Sequence, residues 1–144
     1  MVDDVQAIKN LIYSYSELLD GGDIEGLARL FARCTVYPPG ATEALHGAAA
    51  IHGLIADAVR LYDGIPSTKH LIANVAVEVG DDHRSASARC YYVAFQARPE
   101  LSLQPILAGR WHDRFEGDGK RWWFVERVIY ADLFGDLSCH IKMR

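Results

Sequence analysis

Three cysteines, Cys34, Cys90 and Cys139, are all that 144 residues hold, odd in number and without a CxxC pair. That usage argues against a disulfide framework and suits free thiols in a reducing compartment. Positive charge is also short: 15 Lys and Arg stand against 19 Asp and Glu, for a net charge of −4. No basic stripe offers the footprint a phosphate backbone demands, so nucleic acid is not an expected partner. No stretch reaches the roughly 18 apolar residues of a membrane span, and the start, Met1-Val2-Asp3-Asp4, is acidic and lacks the apolar core of an export signal. The expectation is a cytoplasmic protein with no membrane contact. His46, His52, His83, His112 and His140 form no HExxH pattern and no Cys/His cluster, so no metal site is predicted. Gly21-Gly22 and Gly117-x-Gly119 read as turn glycines and not as a dinucleotide-binding GxGxxG, and no Gly-x-Ser-x-Gly elbow occurs. No cofactor is expected.

What the chain does have is apolar bulk. At 50% hydrophobic and 24% charged, residues 1–144 suffice for one domain with a real core and not for two. Val5, Ile8, Ile12, Tyr15 and Leu19 recur at spacings of three and four, which predicts a helix from near Asp3 to the stop at Gly21-Gly22. Asp23 then N-caps a short second helix carrying Ile24, Leu27, Leu30 and Phe31. Residues 34–38 read as a short strand ended by Pro38-Pro39-Gly40, and residues 48–62 as a third helix. From Ser67 the period changes to two. Segments 68–79, 85–96, 104–116 and 121–132 are predicted strands, the last two joined by a tight turn at Asp118-Gly119. Helices first and an antiparallel sheet after give the fold class α+β. The tail from Ser138 to Arg144 carries no clear signal.

Chemistry concentrates in a few of these residues. Asp20 sits beside the apolar stripe in the last helical turn, where the helix dipole disfavours a carboxylate, so a compensating partner is expected. Alternation sets His70 with Ile72, Asn74 and Ala76 on one strand face. A carboxylate that orients an imidazole and stabilises its charged form makes a general base, and a nearby phenol, Tyr15, makes a donor. Each also has a plain role: an aspartate opening a turn, a buried histidine satisfied by a carbonyl, a core tyrosine. Arg127 shares a face with Trp123, Val125 and Ile129, a setting that calls for a carboxylate such as Asp20 or Glu126, or for the polar end of a substrate. Tyr37, Tyr91, Phe95 and Trp111 are spaced to line an apolar pocket or, equally, to be ordinary core. His112 and Asp113 fall on opposite sides of a strand and cannot act as neighbours.

Taken in order, several runs resemble the SnoaL-like branch of the nuclear-transport-factor-2-like superfamily over nearly the whole chain. They are Asp20-Gly21-Gly22-Asp23 followed by Leu30-Phe31, then Thr68-Lys69-His70-Leu71-Ile72-Ala73-Asn74, then Ala108-Gly109-Arg110-Trp111-His112-Asp113 leading to Trp123-Phe124-Val125-Glu126-Arg127. The resemblance implies a cone-shaped, curved antiparallel sheet closed by three N-terminal helices around a deep apolar pocket, in a homodimer or homotrimer. It implies chemistry as well. Scytalone dehydratase, bile-acid 7α-dehydratase and a dehydrochlorinase of this superfamily place a catalytic carboxylate at the end of the first helix and a catalytic histidine at the start of the long strand. Asp20 and His70 fall on those positions, Tyr15 on the tyrosine of the bile-acid enzyme and Arg127 on the arginine of the dehydrochlorinase. The dehydrochlorinase has a lysine where Tyr15 stands, and the second histidine of scytalone dehydratase has no counterpart in 85–96, which counts against both of their substrates. The function implied is a cofactor-independent lyase of dehydratase type, or an isomerase, acting by proton abstraction on an apolar cyclic or polycyclic hydroxy-ketone. Substrate contacts are then expected from Tyr37, Asn74, Tyr91, Phe95 and Trp111. The alternatives are a polyketide cyclase, a non-catalytic ligand-binding or accessory subunit such as the small subunit of a ring-hydroxylating dioxygenase, and a dimerisation module with a filled cone.

Overall fold

In the computed structural model, which describes residues 3–142, helix α1 (Asp4–Asp20) opens on the Asp3 carboxylate, which accepts the Gln6 N–H at 2.8 Å. One face of α1 buries Ile8, Ile12, Tyr15 and Leu19. Gly22, at φ +78°, turns the chain where a Cβ would collide with the Gly64 carbonyl, so only glycine fits. Asp23 caps α2 (Ile24–Leu30) through the Gly26 N–H at 2.8 Å, as its position predicts. Next come β1 (Thr35–Tyr37), a short β2 (Leu45–His46) and α3 (Ala48–Ala58). The chain then runs through four long strands: β3 (Thr68–Val79), β4 (Ser85–Arg98), β5 (Leu101–Gly117) and β6 (Trp122–Phe134).

The strands lie in the order β2-β1-β6-β5-β4-β3. The four long strands pair antiparallel, whereas β1 joins β6 in parallel, with Val36 beside Arg127. Among the described residues, six strands in a mixed sheet packed on three helices make the fold α+β. Register breaks at Ala73/Ala76 in β3, at Ala94/Phe95 in β4, and at Ala108/Gly109 and Arg114/Phe115 in β5 each bend and twist the ladder, which curves the sheet around the helices. Gly109 lies at one of them, where a Cβ would strike Tyr130 O and the Tyr92 hydroxyl.

One expectation is corrected by the C-terminal segment. The third helix ends at Ala58 and not at residue 62, because Val59 turns extended (φ −98°, ψ 131°) and bridges to Ile141. The tail, which carries no clear signal in the sequence, pairs with this extended stretch. The Arg60 N–H donates to His140 O, and the Lys142 N–H to Ala58 O, each at 2.8 Å. The last two positions of the tail lie outside the described residues.

Inside the curve, Ile8, Ile12, Leu27, Phe31, Trp111, Phe115 and Phe124 are all but fully buried. Tyr92 stacks on Trp111 at 4.8 Å, and Tyr15 meets the same indole edge-on at 4.8 Å. The interior near Trp111 is packed with side chains.

Candidate active site

Helix α1 ends and strand β3 begins at one place, and there Asp20 meets His70. The carboxylate accepts three hydrogen bonds, each 2.7 Å long: from the Thr68 hydroxyl and His70 Nδ1 on Oδ1, and from the His70 backbone N–H on Oδ2. These donors supply the compensation that the end of a helix dipole denies a carboxylate. The two side chains are only 10% and 6% exposed. Burial pushes the Asp20 carboxyl up, but the His70 contacts and the Thr68 hydroxyl outweigh it and hold the group below the usual carboxylate range. An ionised carboxylate only accepts, so Nδ1 carries the proton between the pair and Nε2 is the nitrogen left to act as base.

Tyr15 and Arg127 come together in a second cluster around Asp113, which the sequence offered only as a residue on the strand face opposite His112. Arg127 Nε and Nη2 donate to Asp113 Oδ1 and Oδ2 at 2.7 and 2.8 Å, with both side chains wholly buried. The expected partners, Asp20 and Glu126, are thus corrected to Asp113; Glu126 pairs instead with Arg114 at 3.3 Å. Register is the cause. Asp113 and Arg127 face each other across β5 and β6, and the irregularity at Arg114/Phe115 puts Arg127 on the inner face while Trp123 turns outward, under Arg33 at 4.2 Å. The guanidinium lies 4.0 Å over Trp111 and 4.6 Å over Tyr15. Burial disfavours its charge, yet Asp113 holds it above its ordinary value; the same burial raises Asp113 against the pull of Arg127. The Tyr15 phenol is also raised, by burial and then by Asp113 and Asp20 working against Arg127, so it keeps its proton.

The aromatic lining is corrected in part. Trp111 is inside, but β4 buries Ala88, Cys90, Tyr92 and Ala94, which turns Tyr91, Val93 and Phe95 to the outer face. Tyr91 is 54% exposed and Tyr37 43%. Asn74 is exposed in the β3 bulge at φ 55°, where the inserted residue shifts the alternation so that Val75 and Val77 follow Ile72 into the core. A cleft of about 360 Å³ on that outer face runs past Tyr91, Val93, Arg110, Asp132 and Leu133.

His140 is the residue that periodicity could not find. Its ring stands edge-on to His70 with 6.4 Å between centroids, it is 5% exposed, and its Nδ1 is buried without a partner. Burial, and then the nearby His70, pull it down to about 4. Thr68 and Asp113 were within reach of the sequence, Thr68 two residues before His70 and Asp113 alternating with Trp111 and Phe115. Among the described residues no group of three or more His, Cys, Asp or Glu gathers as metal ligands, and no helix is long and apolar enough to cross a membrane. Cys34, Cys90 and Cys139 are free and buried, and burial pushes the Cys34 thiol up to about 12 and Cys90 up to about 11.

The family model described as the SnoaL-like domain matches residues 1–128. No curated protein matches the chain. Among solved structures, an NTF2-like protein with a cystatin-like fold from Novosphingobium aromaticivorans is similar with a TM-score of 0.69 at 23% identity, covering 89% of this chain and 81% of its own. A provisionally assigned scytalone dehydratase from the same organism gives 0.72 at 23%, covering 92% and 87%. ActVI-ORFA from Streptomyces coelicolor gives 0.73 at 18%, covering 88% and 96%. At such identities the likeness is one of fold.

Proposed function

The chain belongs to the SnoaL-like domain family, and from that premise we propose that it is a cofactor-independent lyase of dehydratase type, or an isomerase, acting on an apolar cyclic hydroxy-ketone. The observation that carries this is the buried Asp20–His70 contact at 2.7 Å, with Asp20 fixed from two further sides. A carboxylate so held sets the imidazole tautomer and stabilises the imidazolium that forms when Nε2 removes a proton. The proton would come from the carbon α to a ketone. The C–H electron pair then forms the enolate, and expulsion of a β-hydroxyl as water completes dehydration. Return of the proton at another carbon gives isomerisation from the same parts. Tyr15, protonated and within electrostatic reach of Asp20, is the proposed donor to the departing hydroxyl; Arg127, closed against Asp113, holds the frame in place of the substrate.

A panel of cyclic β-hydroxy-ketones, followed by enone absorbance and by α-deuterium exchange in heavy water, tests the proposal. His70→Ala should lower turnover at least ~100-fold. Equal turnover by the variant would reject the base assignment. A second reading, a non-catalytic accessory subunit or dimerisation module, draws on the packed interior around Trp111, Phe31, Phe115 and Phe124. Co-purification with a large iron-containing subunit, and no turnover across the panel, would favour it. Assembly as a homodimer or homotrimer belongs to either reading.

A further inference from the structure

We infer that His140, carried in by the C-terminal turn, is a further residue of this site: a neutral imidazole that donates a hydrogen bond to the carbonyl oxygen of the substrate whose α-proton His70 removes. It rests on the dyad chemistry proposed above. The position is built. The Tyr62 hydroxyl donates to Cys139 O at 2.7 Å, and the Gln96 side-chain amide, itself 1% exposed, donates to Cys139 O and Pro66 O, each at 3.0 Å. The Arg60 N–H donates to His140 O on the other side at 2.8 Å. Four contacts on two successive residues and a neighbouring loop fix where the imidazole stands.

Having placed it so firmly, the fold leaves its Nδ1 buried and unpaired. A buried polar atom without a partner costs free energy, and native structures almost always satisfy one. A substrate oxygen would satisfy it. Rings 6.4 Å apart between centroids can address two atoms of one ketone, because the carbonyl oxygen and the α-carbon are only two bonds apart. As His70 Nε2 takes the α-proton, the C–H pair becomes the enolate double bond and the carbonyl pair moves to oxygen, where the His140 N–H donates without giving up its proton. Burial and the neighbouring His70 keep His140 at about 4, so it stays neutral while His70 becomes charged and does not compete for the abstracted proton.

Phenol, whose hydroxyl and ring imitate a cyclic enol, is the probe, titrated into the full chain labelled with 15N-histidine. Saturation should move the ring resonances of both His140 and His70. His140→Phe should weaken phenol binding at least tenfold, and His140→Gln, which keeps an N–H donor, should stay within threefold of the parent. A merely structural role would not distinguish those two variants once circular dichroism shows both folded. Phenol that moves no His140 resonance, bound or not, overturns the inference, as does equal affinity in His140→Phe. Failure of the dyad itself reads out separately, without probe: in Asp20→Asn the His70 Nδ1–H resonance would stay where it is in the parent.

Discussion

Replacing Arg127 with methionine should destabilise the fold far more than any loss of surface charge could. Both side chains of the Arg127–Asp113 pair are 0% exposed, and the two hydrogen bonds that join them are 2.7 and 2.8 Å long. Methionine keeps much of the volume between Trp111, Tyr15 and Phe124, so a cavity contributes little. The cost comes from stranding Asp113. Its carboxyl, already raised by burial, would lose the cation that draws it back and take up a proton to avoid an unpaired charge. Breaking such a pair from one side costs about 3–5 kcal/mol, against 0–1 for an exposed pair. With a urea m-value of roughly 2 kcal/mol/M, the unfolding midpoint should fall by roughly 1.5–2.5 M. Adding Asp113→Leu removes the stranded group and should restore most of the loss, since a well-packed apolar pair can match a buried ionic one. A single variant that loses less than about 1 kcal/mol at unchanged m, or a double variant no better than the single, refutes the structural assignment of Arg127.

Acid titration separates Asp20 from His140. Asp20 is held below its ordinary value in the folded state, so its stabilisation is complete above the unfolded value of about 4 and is lost as pH falls through the lower folded value. Asp20→Asn should therefore flatten the most acidic limb of stability, and urea midpoints that run parallel to the parent below pH 4 would contradict this. His140 works at higher pH with a different origin: folding lowers it to about 4 from an ordinary 6.5, so the unfolded chain binds the extra proton and stability declines from about pH 6.5 to about 4. His140→Gln should flatten that window. The buried thiols of Cys34 and Cys90, raised to about 12 and 11, should ignore an aromatic disulfide reagent at pH 8 and react fully in urea; rapid labelling of the native protein would show that the core opens more readily than its packing implies.

The helices α1 and α2 and the four long strands were legible because each rests on a local signal. Asp3 and Asp23 cap, Gly22 stops, and period two runs through β3 to β6. The dyad was legible for a related reason, since an aspartate against the grain of its helix dipole and a histidine in an alternating strand each asked for a partner. What could not be read was the inside of the sheet. Alternation divides Tyr91 from Tyr92 without saying which of them is buried, and one inserted residue at Asn74 swaps the faces for the rest of β3. The Asp113–Arg127 pair joins residues 14 apart whose meeting depends on a register shift. His140 depends on more still. Its place is set by Tyr62, Gln96 and Arg60, far from it in sequence, so no window along the chain could contain the signal.

Net charge explains why the Asp20–His70 pair is suited to accept a proton and the Asp113–Arg127 pair is not. Asp113 and Arg127 sum to zero, each cancelling the other at hydrogen-bond distance, so moving a proton on or off the pair leaves one charge stranded in an apolar interior. With its imidazole neutral, the Asp20–His70 pair sums to −1, and a proton arriving at Nε2 converts a buried lone anion into a buried ion pair. The Asp113–Arg127 pair resists proton transfer and the Asp20–His70 pair invites it. Thr68 and the His70 backbone N–H steady the anion while it waits, and they bind Asp20 without spending the Nε2 lone pair. A general base in a water-poor site needs that combination: a charge that a proton relieves, and donors that hold the charge without consuming the base.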